Sequence, residues 1–201
     1  ESDWSSDVCS SDLLVALEKT AVARDRQGGH AAAEKALLRD AGLLRLAIPR
    51  EHGGDALSWP DIYRHVRALA AVDSALAHVL AFHQLQVATV LIYGSRQQQR
   101  LWLRRTIDEN GWWGNALNPR DTRLQALPRS SELAGGYVLD GLKGFCSGTR
   151  GSHYLTVSAS VAGHAQPVLG LLETASPGIA VKDDWNPMGQ RQTDSGSVQF
   201  N

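Results

Sequence analysis

Helical periodicity fills the first half of this chain, strand signals fill the second, and the two never alternate. Leu14 to Arg26 and Ala31 to Ala41 are Ala/Leu-rich with apolar residues at helical spacing, and Gly42 is placed to stop the second run. A short apolar run, Leu43 to Ile48, then meets Pro49 and the Gly53-Gly54 turn. Ser58 caps the next helix, with Pro60 in its first turn and Asp61 at its positive end, and the pattern reaches about Ala71. Asp73 or Ser74 opens a helix over Ala75 to Tyr93 that is apolar nearly all round, the mark of a buried helix. Gly94-Ser95 breaks it, and Gln97 to Ile107 makes one more. From Trp112 glycine and proline become frequent and the apolar runs shorten. Strands are predicted at Leu124 to Leu127, Tyr137 to Leu139, Tyr154 to Ser158, Val168 to Leu172, Ile179 to Val181 and Val198 to Phe200, with a hairpin turn at Ala134-Gly135-Gly136. A helical block followed by a β block is α+β and argues against a doubly wound sheet, and the strand spacing suggests a sandwich or barrel.

The expected organisation is therefore a helical domain over 14–111 and a β domain over 112–201. Residues 1–13 are set aside. Asp3 to Leu13 reads like one frame of a sequencing adapter, or else as a disordered tail, being Ser/Asp-rich without periodicity. The single methionine is Met188, and the last residues, Phe200-Asn201, fall inside a strand pattern, so 14–201 reads as an internal piece of a longer protein. A net charge of −1 supplies no field directed at nucleic acid or a membrane surface, and no apolar run reads as long enough to span a bilayer. With Cys9 discounted, Cys146 stands alone without disulfide or metal spacing, and a reducing cytoplasm is the default. His78 and His83 are five apart, not the spacing of a helical metal pair, and no metal is expected.

Three stretches could carry chemistry. The first, Asp183 to Phe200, gathers the donors Gln190, Arg191, Gln192, Thr193, Ser195 and Ser197 between Gly189 and Gly196, and would suit a planar, polar, anionic ligand. It also reads as a polar loop between strands. The second, Gly144 to Ser152, puts small residues and hydroxyls after a strand, and reads equally as a strand-end turn. The third, Trp112 to Pro119, offers paired tryptophans that could wall an aromatic cofactor and Asn115 as donor and acceptor, or could be core packing at a junction. Cys146 reads as a packed small hydrophobe rather than a nucleophile.

The order Asp183-Asp184-Trp185, Met188-Gly189-x-Arg191, Thr193-x-Ser195-Gly196-Ser197 resembles the middle domain of the acyl-CoA dehydrogenase family. Pro49 to Gly54 resembles its Pro-x-Glu-Tyr-Gly-Gly segment, with His52 in place of Tyr, and Tyr137 to Lys143 its Tyr-x-Leu-Asn-Gly-x-Lys hairpin. Phe145-Cys146-Ser147 is similar to the flavin-dependent monooxygenase branch, of dibenzothiophene monooxygenase and sulfone-acquisition type, where dehydrogenases carry Trp-Ile-Thr. Leu117 to Asp121 lacks the dehydrogenases' Thr-Glu-Pro-Gly-Ala-Gly-Ser-Asp.

The resemblance implies a helical domain, a middle β-barrel and a C-terminal bundle beyond this chain. It implies reduced FMN with O2, and FAD in the dehydrogenase alternative. A flavin reductase, a small apolar or organosulfur substrate and a homo-oligomer, dimer or tetramer, come with it. Ser147 would lie near the reactive flavin edge, with His83 a weaker catalytic candidate. Trp113, Asn115, Phe145, Cys146, Arg191, Thr193 and Ser195 would contact the cofactor, and Phe82, His83 and Trp185 the substrate cavity. A piece lacking the bundle is expected to be inactive alone, and an incomplete non-catalytic fragment is the remaining alternative.

Overall fold

A computed structural model of the chain describes residues 11–121, 123–129 and 136–201. Its contacts divide it into two units, one running to Trp112 and including Asn186–Thr193, the other comprising Trp113–Trp185 and Asp194–Asn201.

The first unit holds α1 (Ser11–Gln27), α2 (Ala32–Asp40), α3 (Trp59–Val72), α4 (Ser74–Tyr93) and α5 (Arg96–Asp108). Ser11 to Leu13, set aside with the tail, form the first turn of α1; residues 1–10 and Ala134-Gly135 of the expected turn lie outside the described residues. The helix starts follow local chemistry. Ser58 Oγ accepts from Asp61 N, Asp73 Oδ1 accepts from Leu76 N at 2.9 Å, and Ser95 and Gln98 form a reciprocal capping box. Leu38, Leu43, Leu46, Ile62, Leu69, Leu76, Val79 and Leu80 make the core, each at most 1% exposed.

Helix α4 corrects one sequence expectation. By length and hydropathy it could cross a membrane, its mean hydropathy reaching 1.6. Here it lies in the core of the helical unit, and its buried polar residues serve that core. The run Leu43–Ala47 is too short and irregular to satisfy its own backbone, and α4 completes it. Gln84 Nε2 donates to Leu43 O at 2.7 Å, Ala47 N donates to Gln84 Oε1 at 3.1 Å, and His83 Nε2 donates to Leu44 O at 2.8 Å.

The second unit is two small sheets. One has the order β1 (Trp113–Ala116), β4 (Tyr154–Ala159), β5 (Val168–Glu173); the other β2 (Gln125–Pro128), β3 (Tyr137–Lys143), β7 (Val198–Phe200), β6 (Ile179–Val181). All pairs are antiparallel except β1 with β4, which run parallel with Trp113 opposite Tyr154. The sheets meet where Ala126 N donates to Ser160 O at 2.7 Å and Ser160 N to Leu124 O at 3.0 Å. Leu124, Ala126, Leu155, Val157, Val198 and Phe200 fill the space they enclose. Four of the seven strands, β2 to β5, overlap or extend the expected ones within a few residues, β6 and β7 coincide with them, and β1 was not foreseen.

Candidate functional site

The second unit carries a cavity of about 550 Å³. Its walls come from the turn after β1, the turn after β3, and the two segments that lead out of β6 and into β7. Phe145 and Trp185 meet in its wall, ring centroids 5.8 Å apart at 74°, an edge-to-face contact. Phe145 is 64% exposed and sits at φ 57°, in the left-handed region that a bulky side chain occupies only under constraint.

Two carboxylates brace the walls. Asp121 Oδ2 accepts from Gly144 N at 2.7 Å, and both Asp121 oxygens accept from the Arg123 guanidinium at 2.8 and 2.6 Å. The Arg123 bonds foremost, with the Gly144 and Arg123 N–H groups, hold the Asp121 carboxyl well below the usual carboxylate range, against partial burial. Asp184 Oδ1 accepts from Ser197 N at 2.8 Å; burial works to raise its pKa, but that bond and its companions bring it below the ordinary value. The same oxygen lies 2.6 Å from where a Cβ on Gly196 would stand, so only glycine fits there. The close approach at Gly196 is thus to the Asp184 side chain.

Behind the rim, Ser147 and Ser195 share a hydrogen bond between their hydroxyls at 2.8 Å, each at most 5% exposed. The Ser147 carbonyl accepts from Asn115 N at 3.0 Å, which fixes the turn to β1, and Asn115 Oδ1 accepts from Leu117 N at 3.3 Å. Cys146 is fully buried, its Sγ donating to Lys143 O at 3.3 Å, and burial pushes its thiol up to about 12. Its side chain is core packing, as the sequence suggested. Trp113 is 1% exposed and packs on Tyr154 at 5.0 Å between ring centroids.

Of the sequence candidates, this unit therefore brings together Phe145, Trp185 and Ser195 at the cavity, Ser147 and Asn115 just behind it, and Cys146 and Trp113 in the core. The others belong to the helical unit. Phe82 stacks on His78 at 4.5 Å. His83 is fully buried, bonded to the Leu44 carbonyl and set edge-on to Trp112; burial lowers its pKa to about 4, so it is a neutral structural histidine at physiological pH. Arg191, expected as an anion fork, pairs with Asp25 of α1 at 3.4 Å, and Thr193 Oγ1 donates to Gln190 O at 3.0 Å. The segment Asn186–Thr193, expected within the β domain, packs on α1 and α4. The half-buried Arg24 ties it there, its Nη1 donating to the Gln192 side-chain carbonyl at 2.7 Å, and Gln190 Nε2 donates to Ser74 Oγ at 2.8 Å.

Sequence reasoning missed Asn118, Arg120, Asp121 and Arg123 as wall residues. A signal was present: Asn118-Pro119-Arg120-Asp121 is a turn sequence with a side chain able to bond two residues on, and Arg120 N does donate to Asn118 Oδ1 at 3.2 Å.

Comparison with known proteins follows the same division. Residues 15–110 match the acyl-CoA dehydrogenase N-terminal domain. The chain is 42% identical over 190 residues to a probable FMNH2-dependent monooxygenase, SfnC, of Pseudomonas putida, covering 94% of this chain and 47% of that protein. Its structure superposes on methanesulfinate monooxygenase MsuC from Pseudomonas fluorescens with a TM-score of 0.88 and 41% identity, covering 94% of this chain and 48% of the other. On FMN-bound dibenzothiophene monooxygenase TdsC from Paenibacillus sp. A11-2 the TM-score is 0.89 at 33% identity, covering 97% and 50%. The chain thus spans about half the length of the relatives it matches. Residues 15–110 thus form an acyl-CoA dehydrogenase N-terminal domain, and the sheets that follow superpose on those of these enzymes.

Proposed function

We propose that the chain is part of a reduced-FMN- and O2-dependent monooxygenase acting on a small organosulfur or other apolar compound, with a flavin reductase delivering the reduced cofactor and an oligomeric, cytoplasmic enzyme as the working form. The observation that carries this reading is the cavity of about 550 Å³ edged by Phe145 and Trp185 and backed by the Ser147–Ser195 hydroxyl pair. Its volume lies in the range of small-molecule sites, and its walls combine aromatic faces with a few fixed polar groups.

The residues present fit a flavin. Phe145 and Trp185 would cover a planar ring, the one hydrogen left over from the Ser147–Ser195 hydroxyl pair would be donated to its polar edge, and Arg120 would offer charge to an anionic tail. Bound reduced flavin would supply the activation of O2. The chain's own residues would bind and orient the ring, hold a hydroxyl proton at Ser147 Oγ and keep water from the aromatic wall. The activities of the relatives, an FMNH2-dependent monooxygenase and a methanesulfinate monooxygenase among them, support the same chemistry. An FAD-dependent acyl-CoA dehydrogenase is less well supported, because Asn118-Pro119-Arg120-Asp121 stands where that activity needs its Ser- and Gly-rich CoA signature.

Titration of the chain with FMN, FAD and acyl-CoAs, read by tryptophan fluorescence, tests the assignment. FMN should bind saturably and in preference to acyl-CoA; tight acyl-CoA binding with no response to FMN would sink it. In a protein extended to the relatives' length, Ser147→Ala should slow oxygenation about a hundredfold, the scale of one lost preorganised donor. Its stability cost should be only about 1 kcal/mol, the net worth of one hydrogen bond. Unchanged single-turnover kinetics would return Ser147 to a purely structural role.

A further inference from the structure

Lys143 closes β3 and is 2% exposed, an unusual place for a lysine. Its Nζ donates to two backbone carbonyls of one loop, Asn118 O at 2.8 Å and Asp121 O at 2.7 Å. The next residue reaches the same loop, because Gly144 N donates to Asp121 Oδ2 at 2.7 Å. Burial lowers the Lys143 pKa below the usual lysine value, and Asp121, nearby and negatively charged, works against that by favouring the ammonium. A buried charge with two short carbonyl contacts is retained only where its geometry is fully specified.

What the clasp joins is the cavity wall. Asn118, Arg120 and Asp121 line the cavity from the loop side, and Gly144 and Phe145 line it from the strand side. Without the ammonium, the Asp121–Gly144 bond remains between the loop and the end of the strand among the described residues, and two part-buried carbonyls lose their donor. We propose that Lys143 is a positioning residue for the cavity: by clamping the 118–121 loop to the end of β3 it sets where the Arg120 guanidinium and the Phe145 ring stand, and so tunes the affinity for a planar anionic ligand. As a statement about flavin, this rests on the reading given above; as a statement about the loop, it rests on the two carbonyl contacts.

The test has two readouts on the whole chain. Amide hydrogen exchange at Arg120, Asp121 and Gly144, which donate to Asn118 and Asp121 acceptors, reports the clasp directly. FMN affinity reports its consequence. In Lys143→Ala, exchange at those amides should rise about tenfold or more and the FMN Kd should rise about tenfold, the weight of one charge-assisted bond. Amides of β4 should keep their protection. Added ethylammonium should restore both quantities, and sodium chloride at equal ionic strength should restore neither. Lys143→Met keeps the aliphatic stem and serves if the alanine variant does not fold. Unchanged exchange at the three amides would overturn the clasp. Faster exchange with unchanged FMN affinity would overturn the positioning role. Should the unmodified chain not bind FMN, the flavin reading fails by itself, and the exchange comparison with its ethylammonium rescue still decides for or against Lys143.

Discussion

The helical unit and the β unit spend their polar side chains in opposite ways. In the helical unit the buried polar groups satisfy one another. Arg24, 11% exposed, bonds Asp73 at 2.6 Å, Gln192 at 2.7 Å and Thr20 at 2.9 Å and pairs with Glu34 at 3.2 Å. Gln84 and His83 complete the backbone of the 43–47 run. In the β unit the polar groups edge an open cavity, beside a phenylalanine held in left-handed backbone. Left-handed backbone is not confined to either unit, since Ala56, Asn110 and Gln190 adopt it in the helical one; the contrast lies in the polar groups, which form bonded networks in the helical scaffold and line a cavity in the β unit. The contrast explains why a motif rich in donors split in two. Its first half, Gln190 to Thr193, serves the scaffold, and its second half, Ser195 to Ser197, serves the cavity.

The largest effect that could break this contrast is at Arg24. Arg24→Met should destabilise the chain by about 3–5 kcal/mol, because it leaves the buried Asp73 carboxylate and the Gln192 amide without their main partner. Urea unfolding followed by helical circular dichroism measures it. A loss under about 1 kcal/mol would show that the network is weakly coupled, with Arg24 close to an ordinary surface ion pair.

A pH scan asks the same question of His83. Its folded-state pKa is depressed from 6.5 to about 4 by complete burial. An unfolded imidazole takes up its proton near 6.5 while the buried one does not, so the contribution is intact above that pH. It is lost as pH falls from 6.5 towards 4, by at most about 3 kcal/mol over the window. His65 and His78 are shifted in the same direction, burial again being the leading cause, and add a smaller slope of the same sign. His83→Gln should be less stable at neutral pH yet visibly flatter between pH 6.5 and 4. An unaltered slope would mean that His83 is hydrated or protonated in the folded chain, and would reopen its candidacy as a working residue.

The sequence made the scaffold more legible than the site, for a physical reason. Helix starts are written locally, and Ser58, Asp73 and Ser95 each cap as their type and spacing suggest. Strand β1 is four residues, buried throughout, and it pairs in parallel with a partner some forty residues on, so neither alternation nor a turn announces it. The cavity wall is assembled from four stretches far apart in sequence. Phe145, Trp185 and Ser195 were found through motif resemblance, whereas Asp121 and Lys143 act through contacts with other segments that no local pattern encodes.

The smallest predicted effect isolates the strain itself. Phe145 contributes an edge contact with Trp185 and is otherwise largely exposed, so its ring gives the fold little. Its φ of 57° costs about 1–2 kcal/mol for a residue bearing a Cβ. Phe145→Ala keeps that cost and loses the ring contact, and should destabilise by about 0.5–1.5 kcal/mol. Phe145→Gly loses the same contact but removes the cost, and should lie about 1 kcal/mol above the alanine variant, near or above the unmodified chain. Both should bind FMN more weakly than the unmodified chain, by the same factor if the ring alone matters. Glycine and alanine variants of equal stability would mean that the left-handed backbone at 145 carries no strain. The rim of the cavity would then owe nothing to strain, and the case for it would rest on the lining alone.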